Sequence, residues 1–456
     1  MKETAMGTTS LIGSSIVFII SGYLINIWLG RTLGPADYGI YGVVISLMTA
    51  VNIVQTSGVP QAASKFIAAQ KNNADAVLKA ALAVQVVSTF LLTALFFFFA
   101  RTSALLLGDE TLTPYIRASS FILPFYSIFA LYSGYYNGLQ NFKKQAALNI
   151  AYSLAKLAAV IGLVYVFHLY GAIAGFILAP LVALAVGFHA PRSARGAQFS
   201  HRALVIFSLP LIGFALLSTL IISIDLFLVK RLLADDHLTG LYAAAQNIAR
   251  IPFYALSAFA LMLFPVVSES IQRNPPEVTG EKIRASLRAL FLLLVPGTLL
   301  IAATSTDLLT LLYSRSYVEA APSLSILVIG LALATIFVVL ASALNAAGKP
   351  LLSMALAGAG IVGMALSSSV LVPHYALVGA ALATGIGGAI AAIPAYALLS
   401  RFFPHIAPWL SIGKIFLAAL AMYLAHLLLA LPAPLLPLSY LILGVVYAGA
   451  LFLLGE

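Results

Sequence analysis

Cysteine is absent from the 456-residue chain, which rules out disulfide frameworks, thiolate metal sites and cysteine nucleophiles. Charge is almost as scarce. Asp, Glu, Lys and Arg make up 8% of the residues, where a soluble domain carries about 25%. Such a chain has too few polar side chains to cover a water-facing surface, which excludes a soluble enzyme, a nucleic-acid-binding domain and a disordered protein. Acidic groups are the rarer sign, 14 against 24 basic ones. They scatter over loops at Asp109-Glu110, Asp235-Asp236, Glu277, Glu281, Asp307 and Glu319. General acid–base chemistry needs a base or paired carboxylates in an accessible site, and ATP hydrolysis needs a phosphate-cradling loop. The sequence offers neither, so the protein is read as not an enzyme, with no cofactor and no metal. A membrane-embedded glycosyltransferase or ligase stands as the rival from another class.

What the chain has in abundance is long apolar sequence: 62% of its residues are hydrophobic. A transmembrane helix needs about 20 of them in a row. Charge-free runs cover 11–30, 39–64, 80–100, 118–142, 203–224, 289–306 and 320–348. The 145–191 run is broken only by Lys156 and is long enough for two helices turning near His168. The 237–268 run is one helix carrying Arg250. Residues 350–400 hold no charge and must fold back near Pro373-His374-Tyr375, and 415–455 folds back between Pro432 and Pro437. The expected fold is therefore an all-α polytopic membrane protein of about fourteen transmembrane helices. The first run is too long for the apolar core of a cleaved signal peptide and is expected to be retained.

Loop charge sets the orientation. With the N-terminus inside, sixteen of the 24 basic residues fall on the cytoplasmic side. Arg31, Arg101, Arg117, Lys230, Arg231 and Arg315 fall on the other, and Lys156 and Arg250 lie inside helices. The positive-inside rule then places both termini in the cytoplasm. The net charge of +10 is accounted for by this topology and by attraction to anionic membrane lipids, with no nucleic acid implied.

The two halves echo each other. Leu11-Ile12-Gly13 recurs as Leu211-Ile212-Gly213 and Arg31 as Arg231; Gly39 and Tyr41 recur as Gly240 and Tyr242. Asn137 recurs as Asn345, and Gly171-Ala172 as Gly379-Ala380. Five weak matches in collinear order, with offsets rising from 200 to 208, indicate duplication. Six helices precede the second copy, so the copies enter the membrane in the same direction, as in transporters whose halves rock about a site near the midplane. The expected organisation is an N-terminal lobe over 1–200, a C-terminal lobe over 201–407 and two further helices over 408–456. Together these make two pseudo-symmetric six-helix lobes around a central cavity.

The first outer loop and its flanks read Asn26-Ile-Trp-Leu-Gly-Arg31-Thr-Leu-Gly-Pro35-Ala-Asp37-Tyr-Gly39-Ile-Tyr41, and a Gly348-Lys349-Pro350 turn follows the tenth helix. These motifs and the twelve-plus-two helix plan resemble the polysaccharide flippases (Wzx-type and stage V sporulation protein B-like) of the multidrug/oligosaccharidyl-lipid/polysaccharide exporter superfamily. The resemblance implies lobes around a V-shaped cavity open alternately inward and outward. It also implies, as substrate, a polyprenyl-(pyro)phosphate-linked glycan flipped across the cell membrane. Lipid II flippases carry arginines within the first helix, whereas here that helix offers Ser21, Tyr23 and Asn26 and no charge before Arg31.

Two charges stand at membrane depth. Lys156 lies about eleven residues from either end of its helix, roughly 16 Å at 1.5 Å per residue, too far for the ammonium to reach water along the lipid face. Its placement there costs roughly 2.5–3.5 kcal/mol. Asn149, Ser153 and Lys156 share one helix face, as do Gln246, Arg250, Tyr254 and Ser257. Asn52, with Thr49 and Gln55 or Thr56, makes an uncharged stripe. On one reading these stripes line a wet cavity, where Arg250 gives bidentate contacts to phosphate or an acidic sugar and Lys156 acts as a point charge. On the other, the two cations pair with carboxylates or helix carbonyls and fix packing. The candidate substrate-binding residues are Lys156, Arg250, Asn149, Ser153, Gln246, Tyr254, Asn52 and Asn26. Asp225, alone among the carboxylates in approaching the membrane within a helix, is the candidate coupling residue. Tyr132, Tyr135 and Tyr136 read as an aromatic belt at the inner interface. A cation or drug antiporter of the same superfamily is the alternative function. Two deep positive charges favour an anionic cargo instead, moved by a single chain.

Overall fold

The structure is a computed structural model describing residues 2–191, 199–256, 258–429 and 432–456. The described residues form helices and turns, with no strand among them. This is what a hydrocarbon surrounding permits when every backbone N–H and C=O must be paired within the segment. The chain resolves into two compact units, residues 1–220 and 221–456.

The first unit contains α1 (Lys2–Ser57), α2 (Val59–Ala69), α3 (Ala74–Phe98), α4 (Ala100–Leu106), α5 (Thr113–Ser120), α6 (Ile122–Gly138) and α7 (Phe142–Gly187). It also holds nearly all of α8 (His201–Ile221). The second contains α9 (Ile224–Leu233), α10 (Asp236–Leu256), α11 (Ala258–Arg273), α12 (Pro276–Ala303), α13 (Ser305–Leu312), α14 (Ala321–Ala346), α15 (Pro350–Phe402), α16 (Trp409–Leu429) and α17 (Leu436–Leu453). Among the described residues nine helical stretches are long and apolar enough to cross a membrane. Large apolar side chains face outward along them, including Phe90, Phe98, Leu351, Leu428 and Phe452. Water would not tolerate so much contiguous exposed apolar surface, whereas lipid does. The protein is a multi-pass membrane protein.

Three of the nine stretches are double-length, and the long helices within them, α1, α7 and α15, each break once. In α1 the break is Gly34 (φ 76°, ψ 172°). Glycine takes that φ without a steric cost, and Pro35 restarts the helix where its missing N–H is not needed. In α7 the break is His168 (φ 48°, ψ −127°), and in α15 it is Ala376 (φ 46°, ψ −125°). The two lie 208 positions apart with matching dihedrals. Each is followed three residues later by a glycine, Gly171 or Gly379, with no room for a side chain. A methyl group at Gly171 would strike the backbone of Leu163, and one at Gly379 that of Leu371, again 208 positions on. Positive φ recurs at Gln140 and Gly348, and at Gly34 and Ala234. The offsets read from side-chain identity thus reappear in backbone turns.

Each unit has its own interior. In the first, Leu131, Leu148, Ala179 and Ala183 pack with Tyr132 and Tyr152. Tyr132, Tyr135 and Tyr136 correct the sequence reading. They are 1–5% exposed and belong to this core, not to an interfacial belt. Their hydroxyls show why: Tyr132 donates to the His189 carbonyl (2.7 Å) and Tyr136 to that of Gly187 (2.8 Å). Carbonyls left unpaired where α7 ends are thereby satisfied. In the second unit, α16 and α17 pack on each other through Ala418, Met422 and Leu443 and rest on Val295 and Leu299 of α12. Tyr447 donates to the Leu292 carbonyl (3.0 Å).

Candidate functional site

Two polar constellations stand in the apolar interior, one in each unit. In the first unit a cavity of about 810 Å³ opens among α1, α2, α6 and α7. Phe18, Tyr126 and Phe129 form apolar wall, and Asn149 is among its polar residues. Behind Phe18 lies Lys156, 5% exposed. Its ammonium has no hydrogen bond or ion pair with the described residues. It is enclosed by the rings of Phe18, Tyr152 and Phe176 at 5.1, 5.3 and 5.4 Å from their centroids. Ring quadrupoles attract a cation and so offset part of the cost of burying the charge. Phe18 is therefore shared: it is both cavity wall and part of the lysine cage.

The rest of that stripe divides. Asn149 lines the cavity, while Ser153 is fully buried and donates to the Asn149 carbonyl (2.8 Å). Asn26 donates to the Gly22 carbonyl (2.9 Å) and accepts from the Tyr38 hydroxyl (3.2 Å), which ties the two limbs of α1 across the Gly34 break. Asn52 is 7% exposed, and its Oδ1 has no donor among the described residues. Gln55 joins an interhelical network, accepting from Gln85 Nε2 (3.1 Å) and Thr89 Oγ1 (3.0 Å).

In the second unit the constellation centres on Asp225, 1% exposed in the first turn of α9. Its carboxylate accepts from the Leu226 amide (3.0 Å), Gln246 Nε2 (2.6 Å), the Tyr242 hydroxyl (2.9 Å) and the Thr384 hydroxyl (3.4 Å). Tyr242 and Gln246 are one turn apart on α10, and Arg250 follows one turn later. Arg250 Nη2 donates to the Ile222 carbonyl and to Ser223 Oγ (3.4 Å). Ile222 and Ser223 lie in the break between α8 and α9, so the guanidinium caps a carbonyl freed there. Arg250 Nε is buried without an acceptor among the described residues. The guanidinium has five donors in a fixed fork, so it retains capacity for an anion. Its charge also bears directly on Asp225. Tyr254, next along the stripe, is 46% exposed and packs edge-on against Phe253. Ser257 lies outside the described residues.

Sequence reasoning found Asp225, Gln246, Arg250 and Lys156 but not Tyr242 and Thr384, which complete the carboxylate's shell, nor the aromatic cage. Tyr242 was within reach, since it stands four residues before Gln246. Thr384 is 159 residues from Asp225 and carries no local signal.

Comparison with known proteins agrees with this architecture. The chain is similar to stage V sporulation protein B of Bacillus subtilis strain 168, at 22% identity over 69% of this chain and 68% of that protein. It is also similar to the uncharacterized membrane protein YabM of the same organism, at 23% identity over 87% and 80%. Among solved structures, the lipid II flippase MurJ in an inward closed conformation superposes with a TM-score of 0.75 at 14% identity, covering 98% of both chains. An inward-facing multidrug resistance transporter of the MATE family and MOP superfamily gives 0.71 at 14%, covering 84% of this chain and 94% of that one. At such identities the structural likeness speaks for the fold. The model of the family described as polysaccharide biosynthesis protein matches residues 28–322, well over half of the chain. The chain belongs to that polysaccharide biosynthesis protein family, as a multi-pass membrane protein with the fold of MOP-superfamily transporters.

Proposed function

We propose that the protein is a flippase that moves polyprenyl-(pyro)phosphate-linked oligosaccharide across the cytoplasmic membrane by alternating access. In this reading fourteen helices cross the bilayer with both termini in the cytoplasm. The lobes 1–200 and 201–407 rock about a cavity near the midplane, and helices 408–456 support the second lobe. The protein acts as a carrier and makes or breaks no covalent bond. The lipid tail stays in hydrocarbon while the headgroup, the costly part to move, crosses in a polar space.

The observation that carries the proposal is the sign of the deep charge. Lys156 has no carboxylate partner among the described residues, and Arg250 has a donor to spare. A carrier of cations would gain nothing from either. In a poorly screened interior a cation's field reaches well beyond contact distance. Lys156 therefore favours a phosphate or acidic sugar from behind the Phe18 ring, while Arg250 offers a hydrogen-bonding fork. Asn149, Tyr254, Asn52 and Asn26 contribute neutral polar contacts, and Ser153 and Gln246 orient their neighbours. Asp225 serves as the coupling residue, its carboxylate being the one group in the constellation that a proton or small cation would neutralise.

Proteoliposomes presenting a lipid-linked oligosaccharide and, in parallel, a cationic dye test the reading. Glycolipid movement with no dye transport is expected; dye transport with no glycolipid movement would overturn it.

A further inference from the structure

Three helices each present a polar pair, one turn apart, to the cavity of the first unit: Gln61 and Lys65 on α2, Ser133 and Asn137 on α6, Gln145 and Asn149 on α7. Residues four apart on a helix stand side by side, so the pairs form a rim. The helices are cross-linked below their tips. Asn137 Nδ2 donates to Ser64 Oγ (2.9 Å), and Gln145 Nε2 donates to Ser133 Oγ (3.3 Å). These bonds fix the hydroxyls and leave amide groups over. The carboxamides of Gln61 and Asn149 make no hydrogen bond to the described residues, and Gln145 Oε1 has no donor there.

The lining contains one charge, Lys65. Its ammonium rests 3.7 Å from the centroid of the Phe207 ring, at the rim and not deep in the cavity. Deeper in, Phe18, Tyr126 and Phe129 supply flat apolar surface. The volume, about 810 Å³, falls within the roughly 300–1,000 Å³ usual for ligand pockets.

We propose that this cavity is a glycan-reading subsite for uncharged sugars bearing hydroxyl and acylamido groups, with Lys65 taking a single anionic group at its mouth. The inference rests on the flippase reading and specifies the part of the headgroup that the first unit holds. A carboxamide supplies two donors and an acceptor in one plane, which matches both a vicinal diol and an acetamido group. An aromatic wall packs against the apolar face of a pyranose ring. A phosphate or uronate seated below the amide rim, against the aromatic rings, would lack a countercharge in contact with it. The cavity therefore reads the distal sugars through neutral contacts and leaves the anion to Lys65 at its mouth and to the field of Lys156 behind the Phe18 ring.

Saturation-transfer NMR on the protein in nanodiscs tests this with N-acetylglucosamine, N-acetylglucosamine 1-phosphate and inorganic phosphate as ligands. Wild type is expected to bind both sugars, and Asn149→Leu and Gln61→Leu to weaken both at least tenfold. Lys65→Ala should leave the neutral sugar unchanged and reduce the sugar phosphate to the same level. Asn149→Ser replaces the leucine variant if leucine prevents folding, with the same loss expected. Absence of neutral-sugar binding, wild-type binding in the amide variants, or displacement of N-acetylglucosamine by inorganic phosphate would each overturn the proposal. Glycolipid movement is measured on the same preparations. Movement without sugar binding sinks the subsite and spares the flippase reading, and sugar binding without movement does the reverse.

Discussion

Lys156→Met is expected to yield a protein more stable than wild type and at least tenfold slower at moving anionic glycolipid. Methionine keeps the length of the lysine stem and fills the space among Phe18, Tyr152 and Phe176 without a charge to desolvate. Burying the ammonium costs roughly 2.5–3.5 kcal/mol, and the ring contacts return only part of that. Its removal should therefore raise stability by about 1–2 kcal/mol, seen as a higher unfolding temperature in detergent. A purely packing role for Lys156 would show stability changing with no loss of transport. A role for Lys156 in transport requires the two readouts to move in opposite directions, because natural proteins retain costly buried charges where function uses them. Unchanged glycolipid rates in Lys156→Met would remove Lys156 from the mechanism.

Asp225 carries the second large effect. Asp225→Ala takes away the acceptor of Gln246 Nε2, Tyr242 Oη and Thr384 Oγ1 and leaves Arg250 beside an empty space. Each buried donor left unpaired costs about 1–3 kcal/mol, and the loss of a carboxylate near a buried cation adds to that. A fall of about 3–5 kcal/mol is expected, measured as an unfolding temperature well below that of wild type. Asp225→Asn keeps the shape and, with its carbonyl toward Gln246, most of the hydrogen bonds. It should fold nearly as well as wild type yet lose the response of glycolipid transport to an imposed ion gradient. Gradient-driven transport at the wild-type rate in Asp225→Asn would show that the carboxylate is structural.

The fold was legible in the sequence because a bilayer enforces simple rules. An interrupted apolar run marks a helix end, and a run of about fifty charge-free residues must reverse. The reversal expected at Pro373-His374-Tyr375 falls at Ala376, and its twin at His168 falls where the repeat offset puts it. The interruption of the helix at Ile222–Ser223 was legible only to within a few residues. Asp225 ends the 203–224 run within a few residues of it, but nothing local says that the carbonyl exposed there is answered by Arg250 from another helix. Of the site, the charged residues stood out because each is expensive. Their partners did not, because aromatic residues such as Phe18 and Phe176 look like any lipid-facing or core residue until the helices are assembled. Tyr132, Tyr135 and Tyr136 were misread for the same reason. At a helix end the sequence does not distinguish a tyrosine anchored in headgroups from one whose hydroxyl satisfies a carbonyl inside the protein.

The absence of cysteine makes accessibility the most direct test of the central claim, that water-filled space at membrane depth reaches a polar face within each unit. Asn149→Cys and Tyr254→Cys, introduced singly, are treated with a membrane-impermeant thiol reagent in oriented vesicles, with lipid-facing Leu428→Cys as control. Both site positions should be labelled from water and protected by added lipid-linked oligosaccharide, while the control stays unlabelled. If neither Asn149→Cys nor Tyr254→Cys reacts from either side of the membrane, there is no such space and the account fails.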